Sequence, residues 1–183
     1  MKILIFNGAL ESRIHATSHK IAQYFKKTAE SYDSEVAVFN LSEAGIPLFD
    51  HTLDEVPTAV QDMNRLFREA DVHIWLTPLY HGSMTGAMKN CLDWLEISAK
   101  ESLPYLTNKV VGLVCWADGG QAMQGINAMD AVAKALRAWV LPYSIPIVRG
   151  GLYDTESGEF TDNYLHKFNM MARMLTKGTM PSL

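Results

Sequence analysis

The sequence has few cysteines and no excess of basic residues. These two features argue against a disulfide-rich protein and against a nucleic-acid-binding protein. Cys91 and Cys115 are its two cysteines among 183 residues, and each lies inside an apolar segment. A disulfide framework is therefore not expected, and a cytoplasmic location is predicted. The 16 Lys and Arg residues are scattered and are outnumbered by 20 Asp and Glu residues, so the formal net charge is -4. We expect no nucleic-acid partner, because duplex binders carry a basic stripe.

The sequence also lacks long apolar runs, internal repeats and metal-ligand spacing. Residues 1–8 contain an apolar run that is too short for a signal peptide or a membrane span, so it predicts a strand and no membrane partner. The six His residues are not spaced as metal ligands, and no metal is expected. No repeat or linker divides the chain, which predicts a single domain over residues 1–183.

Short apolar runs alternate with longer segments of helical period. Strands are predicted over 2–6, 36–39, 72–77, 110–116 and 145–148, and helices over 17–32, 60–70, 85–97, 122–140 and 163–176. Residues 176–183 are predicted to be frayed. Apolar strands without polar alternation are typical of parallel sheets covered by helices on both faces. The alternation predicts an α/β fold, a doubly wound five-stranded parallel sheet in the order 2-1-3-4-5 between two helical layers.

This topology also predicts where a ligand binds. Right-handed crossovers place the loops after the first, third and fourth strands at the carboxyl edge of the sheet. The strand order reverses at that edge, and folds of this kind bind ligands there. The loops concerned are residues 8–18, 78–83 and 117–121.

The first of these loops, residues 8–18, has the features of a phosphate site. The N-terminus of the following helix is an anion site, to which Thr17 and Ser18 add hydroxyls and Arg13 adds a charge-assisted donor. His15 lies in the same loop and joins these candidates. The alternative is that Thr17 or Ser18 only caps the helix while Arg13 points into water. Neither G-x-G-x-x-G nor G-x-x-x-x-G-K-[ST] is present, which favours a monophosphate.

The second loop carries a denser signal. Residues 77–95 read TPLYHGSMTGAMKNCLDWL. This run resembles the P-x-Y-x-G-S-x-x-G-x-x-K-N-x-x-D-W signature of the NADPH-dependent FMN reductase family, a branch of the flavodoxin-like fold. The resemblance implies non-covalently bound FMN, with NADPH or NADH as co-substrate. The first loop departs from the family, because Ala9 and Glu11 stand where a Ser and an Arg are usual. Arg13 and the two hydroxyl residues after it are expected to take over the phosphate.

The resemblance assigns the second loop to the flavin. Main-chain N–H groups from Leu79 to Ser83 are expected to meet the ring carbonyls and the ribityl chain, and Tyr80 to offer its ring for stacking. His81 is a candidate proton donor, but the preferred interpretation is that only its backbone meets the flavin, so no catalytic residue is predicted. The cofactor-binding residues predicted here are Pro78, Leu79, Tyr80, His81, Gly82 and Ser83. The residues interpreted as structural are Lys89, Asn90, Asp93, Trp94 and Leu95.

The third loop, residues 117–121, resembles the glycine-rich turn of the family. Asp118, Gly119 and Gly120 are therefore predicted to line the flavin ring. Asp118 has an alternative interpretation as a turn residue without a ligand.

The implied activity is hydride transfer from NADPH or NADH to FMN, followed by reduction of a small-molecule acceptor. Free flavin, quinones, azo dyes, nitroaromatics and metal oxyanions all remain open as acceptors. The alternatives are a flavodoxin-type electron carrier, a reductase that supplies reduced FMN to a monooxygenase, and a regulatory module without flavin. The resemblance also implies a homodimer or homotetramer. The apolar residues Met88, Leu92, Trp94 and Leu95 on the third helix are taken to agree with this association.

Overall fold

A computed structural model describes residues 1–178 of the chain. Its strands are Lys2–Asn7 (β1), Glu35–Asn40 (β2), Val72–Pro78 (β3), Val110–Ala117 (β4), Trp139–Val140 (β5) and Ile145–Val148 (β6). Its α-helices are Thr17–Glu30 (α1), Thr58–Glu69 (α2), Gly86–Asp93 (α3), Ala122–Ala135 (α4) and Asp162–Lys177 (α5). Of the tail predicted to be frayed, the first two residues belong to α5, and 179–183 lie outside the described residues.

The sheet is parallel, and its order β2-β1-β3-β4-β5 confirms the prediction. The position beside β4 is divided, because β5 pairs with its first residues and β6 with its last four. The described sheet therefore has six strands instead of the predicted five. Pro142 lies in the interruption and Pro146 lies within β6. Proline has no N–H to donate to a ladder, so this position suits an edge of the sheet.

Helices cover both faces of the sheet, as the three-layer prediction requires. On one face α2, α3 and α4 pack around Phe6, Phe67 and Trp75. On the other face α1 and α5 pack around Phe25 and Phe168. Burial of each such aromatic side chain contributes about 1.5 to 3 kcal/mol. Packing in the two cores sets where each strand ends along the sheet. It therefore also sets the position of the loops at the carboxyl edge.

Two predicted helices end at least four residues earlier than expected. The helix predicted over 122–140 ends at Ala135, because Arg137 takes a left-handed φ of 65° and the chain then enters β5. The helix predicted over 85–97 is α-helical only to Asp93 and continues as a 3-10 helix over Trp94–Ser98.

The association argument based on α3 was wrong. The side chains of Met88, Leu92, Trp94 and Leu95 are at most 1% exposed and belong to the core of this chain. These four side chains are therefore not available to a second subunit. The exposed apolar side chains lie elsewhere, among them Leu10, Ile14, Leu48 and Tyr80.

No helix within residues 1–178 combines the length and the apolar character that a membrane span needs. Cys91 and Cys115 are both free and buried. Burial raises the pKa of each thiol to about 12, so both remain protonated at neutral pH and neither offers a thiolate.

Candidate functional site

The first and second loops meet at the carboxyl edge and are tied together by Thr85. Its hydroxyl donates to the carbonyl oxygen of Gly8 at 2.8 Å and accepts from the N–H of Met88 at 3.0 Å. It thereby caps α3 while it holds the first loop in place. Gly8 also needs its small size, since a Cβ there would lie 2.6 Å from the sulfur of Met88. Thr85 was not predicted to have this role, although a Thr directly before a helix is a recognisable cap.

The N-terminus of α1 is open. Ala16 occupies the cap position, so no side chain satisfies the N–H groups of the first turn. Thr17 and Ser18 lie inside that turn, which makes the interpretation of either residue as a cap wrong. The hydroxyl oxygen of Ser18 is buried and has no hydrogen-bond partner among the described residues. Because an unpaired buried polar group costs about 1 to 3 kcal/mol, this hydroxyl and the free N–H groups fit an anionic ligand.

Two arginine side chains lie in a cavity at this helix terminus. A cavity of about 510 Å³ is lined by Glu11, Arg13, Ile14, His15, Ala16, Thr17 and Arg149. We call it the phosphate pocket. The guanidinium of Arg13 pairs with the carboxylate of Glu11, and its side chain is 83% exposed, so Arg13 also points into water as the alternative interpretation expected. The pocket therefore combines donors from a helix terminus with two guanidinium groups, and both favour a phosphate.

Arg149 was not anticipated. It begins the 3-10 helix Arg149–Gly151, directly after β6. Its Nη1 donates to Oδ1 of Asp118 at 3.3 Å, which joins the third loop to the phosphate pocket. The side chain of Asp118 is 90% exposed, so this ion pair is a weak surface interaction. Its position could have been predicted from the sequence, because a residue that follows the fifth predicted strand lies at the same carboxyl edge as the other loops.

Tyr153 contacts the N-terminus of α1 from the segment before α5. Its hydroxyl donates to Oγ1 of Thr17 at 3.5 Å. Burial raises the pKa of Tyr153, so the hydroxyl stays protonated and remains a donor. The terminus of α1 is thus supported by a residue more than a hundred positions away in the sequence.

The second loop is a tight turn at the end of β3. The N–H of Tyr80 donates to the carbonyl of Ser83, and the N–H of Ser83 donates to the carbonyl of Tyr80, both at 3.0 Å. His81 and Gly82 have φ values of 48° and 82°, as a type I′ turn requires at both central positions. A left-handed φ is unusual for histidine and costs about 1 kcal/mol or more.

The expectation that all N–H groups from Leu79 to Ser83 face a ligand is wrong for three of them. The N–H of Leu79 donates to the carbonyl of Trp116 at 2.8 Å, and those of Tyr80 and Ser83 are used inside the turn. The N–H groups of His81 and Gly82 remain at its tip. Tyr80 is 61% exposed and His81 is also exposed, so both side chains are accessible at the edge.

The third loop brings a second helix terminus to the same edge. α4 begins at Ala122, and Gln121 at its cap position makes no side-chain hydrogen bond. A Cβ on Gly120 would meet no atom within 4 Å, so the backbone there faces open space. Gly125 lets α4 approach β4 closely, since a Cβ there would lie 2.4 Å from the sulfur of Cys115. The loop therefore presents an accessible backbone beside the second loop.

The remaining residues of the predicted signature are structural. The side-chain amide of Asn90 donates to the carbonyl of Pro47 and accepts from the N–H of Phe49, both at 2.8 Å. The indole N–H of Trp94 donates to the same carbonyl of Pro47 at 2.9 Å. Lys89 and Asp93 form an ion pair one helical turn apart. These contacts fix the segment after β2 and leave the ligand edge to the loops.

The sheet order and an open helix terminus at the point of strand reversal define a flavodoxin-like α/β protein. FerB, a flavoenzyme NAD(P)H:(acceptor) oxidoreductase from Paracoccus denitrificans, superimposes with a TM-score of 0.77 at 17% identity, over 96% of this chain and 95% of that chain. The FMN complex of an FMN-dependent NADH-azoreductase from Bacillus anthracis gives 0.71 at 15% identity, over 96% and 100%. Oxidised flavodoxin 1 from Bacillus cereus gives 0.65 at 11% identity, over 98% and 99%.

The model of the NADPH-dependent FMN reductase family matches residues 1–151, so the chain belongs to that family, a family of FMN-dependent oxidoreductases. The matched part contains all three loops and Arg149. A curated relative, the FMN-dependent NADPH-azoreductase of Staphylococcus aureus strain USA300, is 26% identical over 181 residues. That alignment covers 95% of this chain and 90% of the relative. The family and cofactor expected from the second loop are thereby confirmed.

Proposed function

We propose that this chain binds FMN at the carboxyl edge and passes electrons from NADPH or NADH to a small acceptor. Flavins, quinones, azo compounds, nitroaromatics and metal oxyanions are the acceptor classes concerned. The observation that carries the proposal is the buried, unpaired hydroxyl of Ser18 at the open N-terminus of α1. Membership of the family and likeness to the S. aureus azoreductase support the same assignment.

The phosphate of FMN is assigned to the phosphate pocket. Its oxygens accept hydrogen bonds from the first turn of α1 and from the hydroxyls of Thr17 and Ser18. Arg13, His15 and Arg149 add positive charge or donors from the pocket wall. Arg13 contacts the phosphate by exchanging its present carboxylate partner for a phosphate oxygen.

The ring of FMN is assigned to the second and third loops. The N–H groups of His81 and Gly82 are the unpaired donors of the turn, and the exposed ring of Tyr80 offers a stacking surface. The open backbone at Gly120 forms the opposite side. The residues proposed to contact the ring or the ribityl chain are Pro78, Leu79, Tyr80, His81, Gly82, Ser83, Asp118, Gly119 and Gly120.

The chain supplies binding, orientation and electrostatics. When bound, FMN supplies hydride acceptance from a nicotinamide and electron delivery to the second substrate. The free N–H groups of His81 and Gly82, together with the N-terminus of α4, stabilise negative charge beside the third loop. Hydride transfer needs no acid or base from the protein, so no catalytic side chain is assigned.

We further propose a single cytoplasmic FMN-binding domain that forms a homodimer or homotetramer. Leu10, Ile14 and Tyr80 support association, because these large apolar side chains are more than 60% exposed and lie on the loops of one sheet edge. The two unpaired, buried cysteines support a reducing compartment. Light scattering of the purified protein, with and without FMN, tests the assembly.

The test of function is an absorbance spectrum of the purified protein with added FMN, before and after anaerobic NADPH or NADH. We expect the bands of bound flavin to bleach after addition of either nicotinamide nucleotide. Bound flavin that stays oxidised with both nucleotides would instead identify an electron carrier. A protein that takes up no FMN would refute the proposal.

A further inference from the structure

A second cavity adjoins the phosphate pocket and has no part in the proposed function. It has a volume of about 450 Å³ and lies between the outer face of α1 and the segment before α5. We call it the α1 groove, and its lining includes Ile14, Lys20, Lys27, Tyr153, Glu159 and Phe160. Ile14 also lines the phosphate pocket, and Tyr153 reaches Thr17. The two cavities are therefore adjacent along the same helix.

One wall of the α1 groove is aromatic and firmly held. The rings of Tyr153 and Phe160 are stacked, with centroids 5.2 Å apart and planes 17° apart. The edge of Tyr24 packs against Phe160 at 5.8 Å. The connecting turn is closed by the N–H of Asp154, which donates to the carbonyl of Glu159 at 2.8 Å. A fixed surface of this kind suits a flat ring.

The other wall carries the ammonium groups of two lysines. Lys20 and Lys27 form no ion pair with any residue of the described part of the chain, whereas their neighbour Lys26 pairs with Glu30. The ammonium group of Lys20 lies 4.9 Å from the centroid of the Tyr153 ring. It covers the face of Tyr153 that Phe160 leaves free, so a planar ring that stacks there displaces the flexible lysine side chain, whose ammonium group then meets an anion attached to that ring.

Glu159 adds a hydrogen-bond acceptor to the same groove. A carboxylate beside a nucleotide typically accepts from the ribose hydroxyls. An aromatic wall, two ammonium groups and one carboxylate match a purine ring, a phosphate and a ribose that keeps its hydroxyls. A phosphate on the ribose 2′ position would instead be repelled by the carboxylate.

We propose that the α1 groove is a binding subsite for an adenosine 5′-phosphate moiety. In FAD this moiety is attached to the phosphate of FMN, and in the structure the groove lies next to the pocket assigned to that phosphate. The subsite therefore extends the flavin site to FAD. This use of the groove rests on the proposed function. Free AMP has the same chemistry, and the two sources are separated by experiment.

The test compares FMN with FAD. Dissociation constants are measured by quenching of flavin fluorescence for the unaltered protein, for the double variant Lys20→Gln/Lys27→Gln, and for Lys26→Gln as the matched control on the same helix. We expect the double variant to weaken FAD about tenfold and FMN less than twofold, with the control like the unaltered protein. A ratio of the two constants that does not change in the double variant would overturn the subsite.

Calorimetry with AMP identifies the source and separates this inference from the proposed function. AMP that binds the FMN-loaded protein without displacing FMN, and binds the double variant more weakly, shows that the groove takes a free nucleotide. If the double variant weakens FAD binding but the protein does not bind AMP, the groove takes the adenosine 5′-phosphate moiety only as a part of FAD. If neither flavin binds, the proposed function fails, and AMP binding that depends on both lysines still supports the groove. Absence of AMP binding in that case refutes it.

Discussion

His73 gives a prediction whose size follows directly from its surroundings. It lies fully buried in β3, with Nε2 at 2.8 Å from the carbonyl oxygen of Phe67. This bond requires a proton on Nε2, and Nδ1 has no partner among the described residues. A second proton would therefore be buried without an acceptor. Burial, assisted by the nearby charge of Lys109, lowers the pKa of His73 from 6.5 to about 4.

The lowered pKa makes the free energy of unfolding depend on pH in a defined window. Below pH 6.5 the unfolded chain takes up a proton on this residue, while the folded chain stays neutral down to about pH 4. The stabilisation is thus complete above pH 6.5 and is lost as the pH falls. At about 1.4 kcal/mol per pKa unit the full loss is about 3 kcal/mol, of which about 2 kcal/mol falls between pH 7.5 and pH 5.

Urea unfolding of the flavin-free protein, followed by tryptophan fluorescence at several pH values from 7.5 to 4.5, measures this loss. His73→Gln removes the titrating group and keeps an N–H donor, so its stability should vary by about 2 kcal/mol less than that of the unaltered protein between pH 7.5 and pH 5. His166→Gln, on the exposed side of α5, is the matched control and should retain the full pH dependence. Equal pH dependence in His73→Gln and the unaltered protein would refute the reasoning.

Three further predictions concern the site and its support. Ser18→Ala removes an unpaired buried hydroxyl, so it should raise the free energy of unfolding without flavin by about 1 kcal/mol and yet weaken FMN binding at least tenfold. Urea unfolding and fluorescence titration measure the two effects, and a decrease in both stability and FMN affinity contradicts the phosphate assignment. Gly82→Ala places a Cβ at a φ of 82° and should lower the free energy of unfolding in urea by about 1 to 2 kcal/mol. Gly120→Ala, whose Cβ meets no atom within 4 Å, is the control and should lower it by less than half of that. Equal losses in the two variants exclude strain at the turn. Asn90→Ala leaves the N–H of Phe49 unpaired, whereas the carbonyl of Pro47 keeps its bond from Trp94, and should cost about 1 to 2 kcal/mol and expose segment 47–49 to proteolysis; unchanged stability and cleavage would show that water replaces the amide.

The sheet order and the ligand edge could be predicted because they follow from local patterns. Apolar strands without alternation, separated by helical segments, admit few parallel arrangements. The second loop could be predicted for a different reason, since its rare residues stand at fixed spacings over residues 78–94. Neither inference needs knowledge of which distant side chains touch each other.

The features that sequence analysis missed depend on such distant contacts. The carbonyl that accepts the Thr85 hydroxyl lies 77 positions away in the chain. Arg149 reaches the phosphate pocket only because β6 ends at the correct height beside β4. The turn at Tyr80–Ser83 uses its own N–H groups, which depends on backbone angles and not on residue type. Register and turn geometry therefore set the limit of what the sequence alone predicts.

The divided edge beside β4 has a consequence for how copies of this protein approach one another. A long, regular edge strand offers a row of free N–H and C=O groups on which a strand of another molecule can add. Here that edge consists of a two-residue and a four-residue piece, and Pro142 and Pro146 remove two of the donors. This edge therefore offers a poor template for a strand of another molecule, and contacts between folded copies on this side are left to helices and loops.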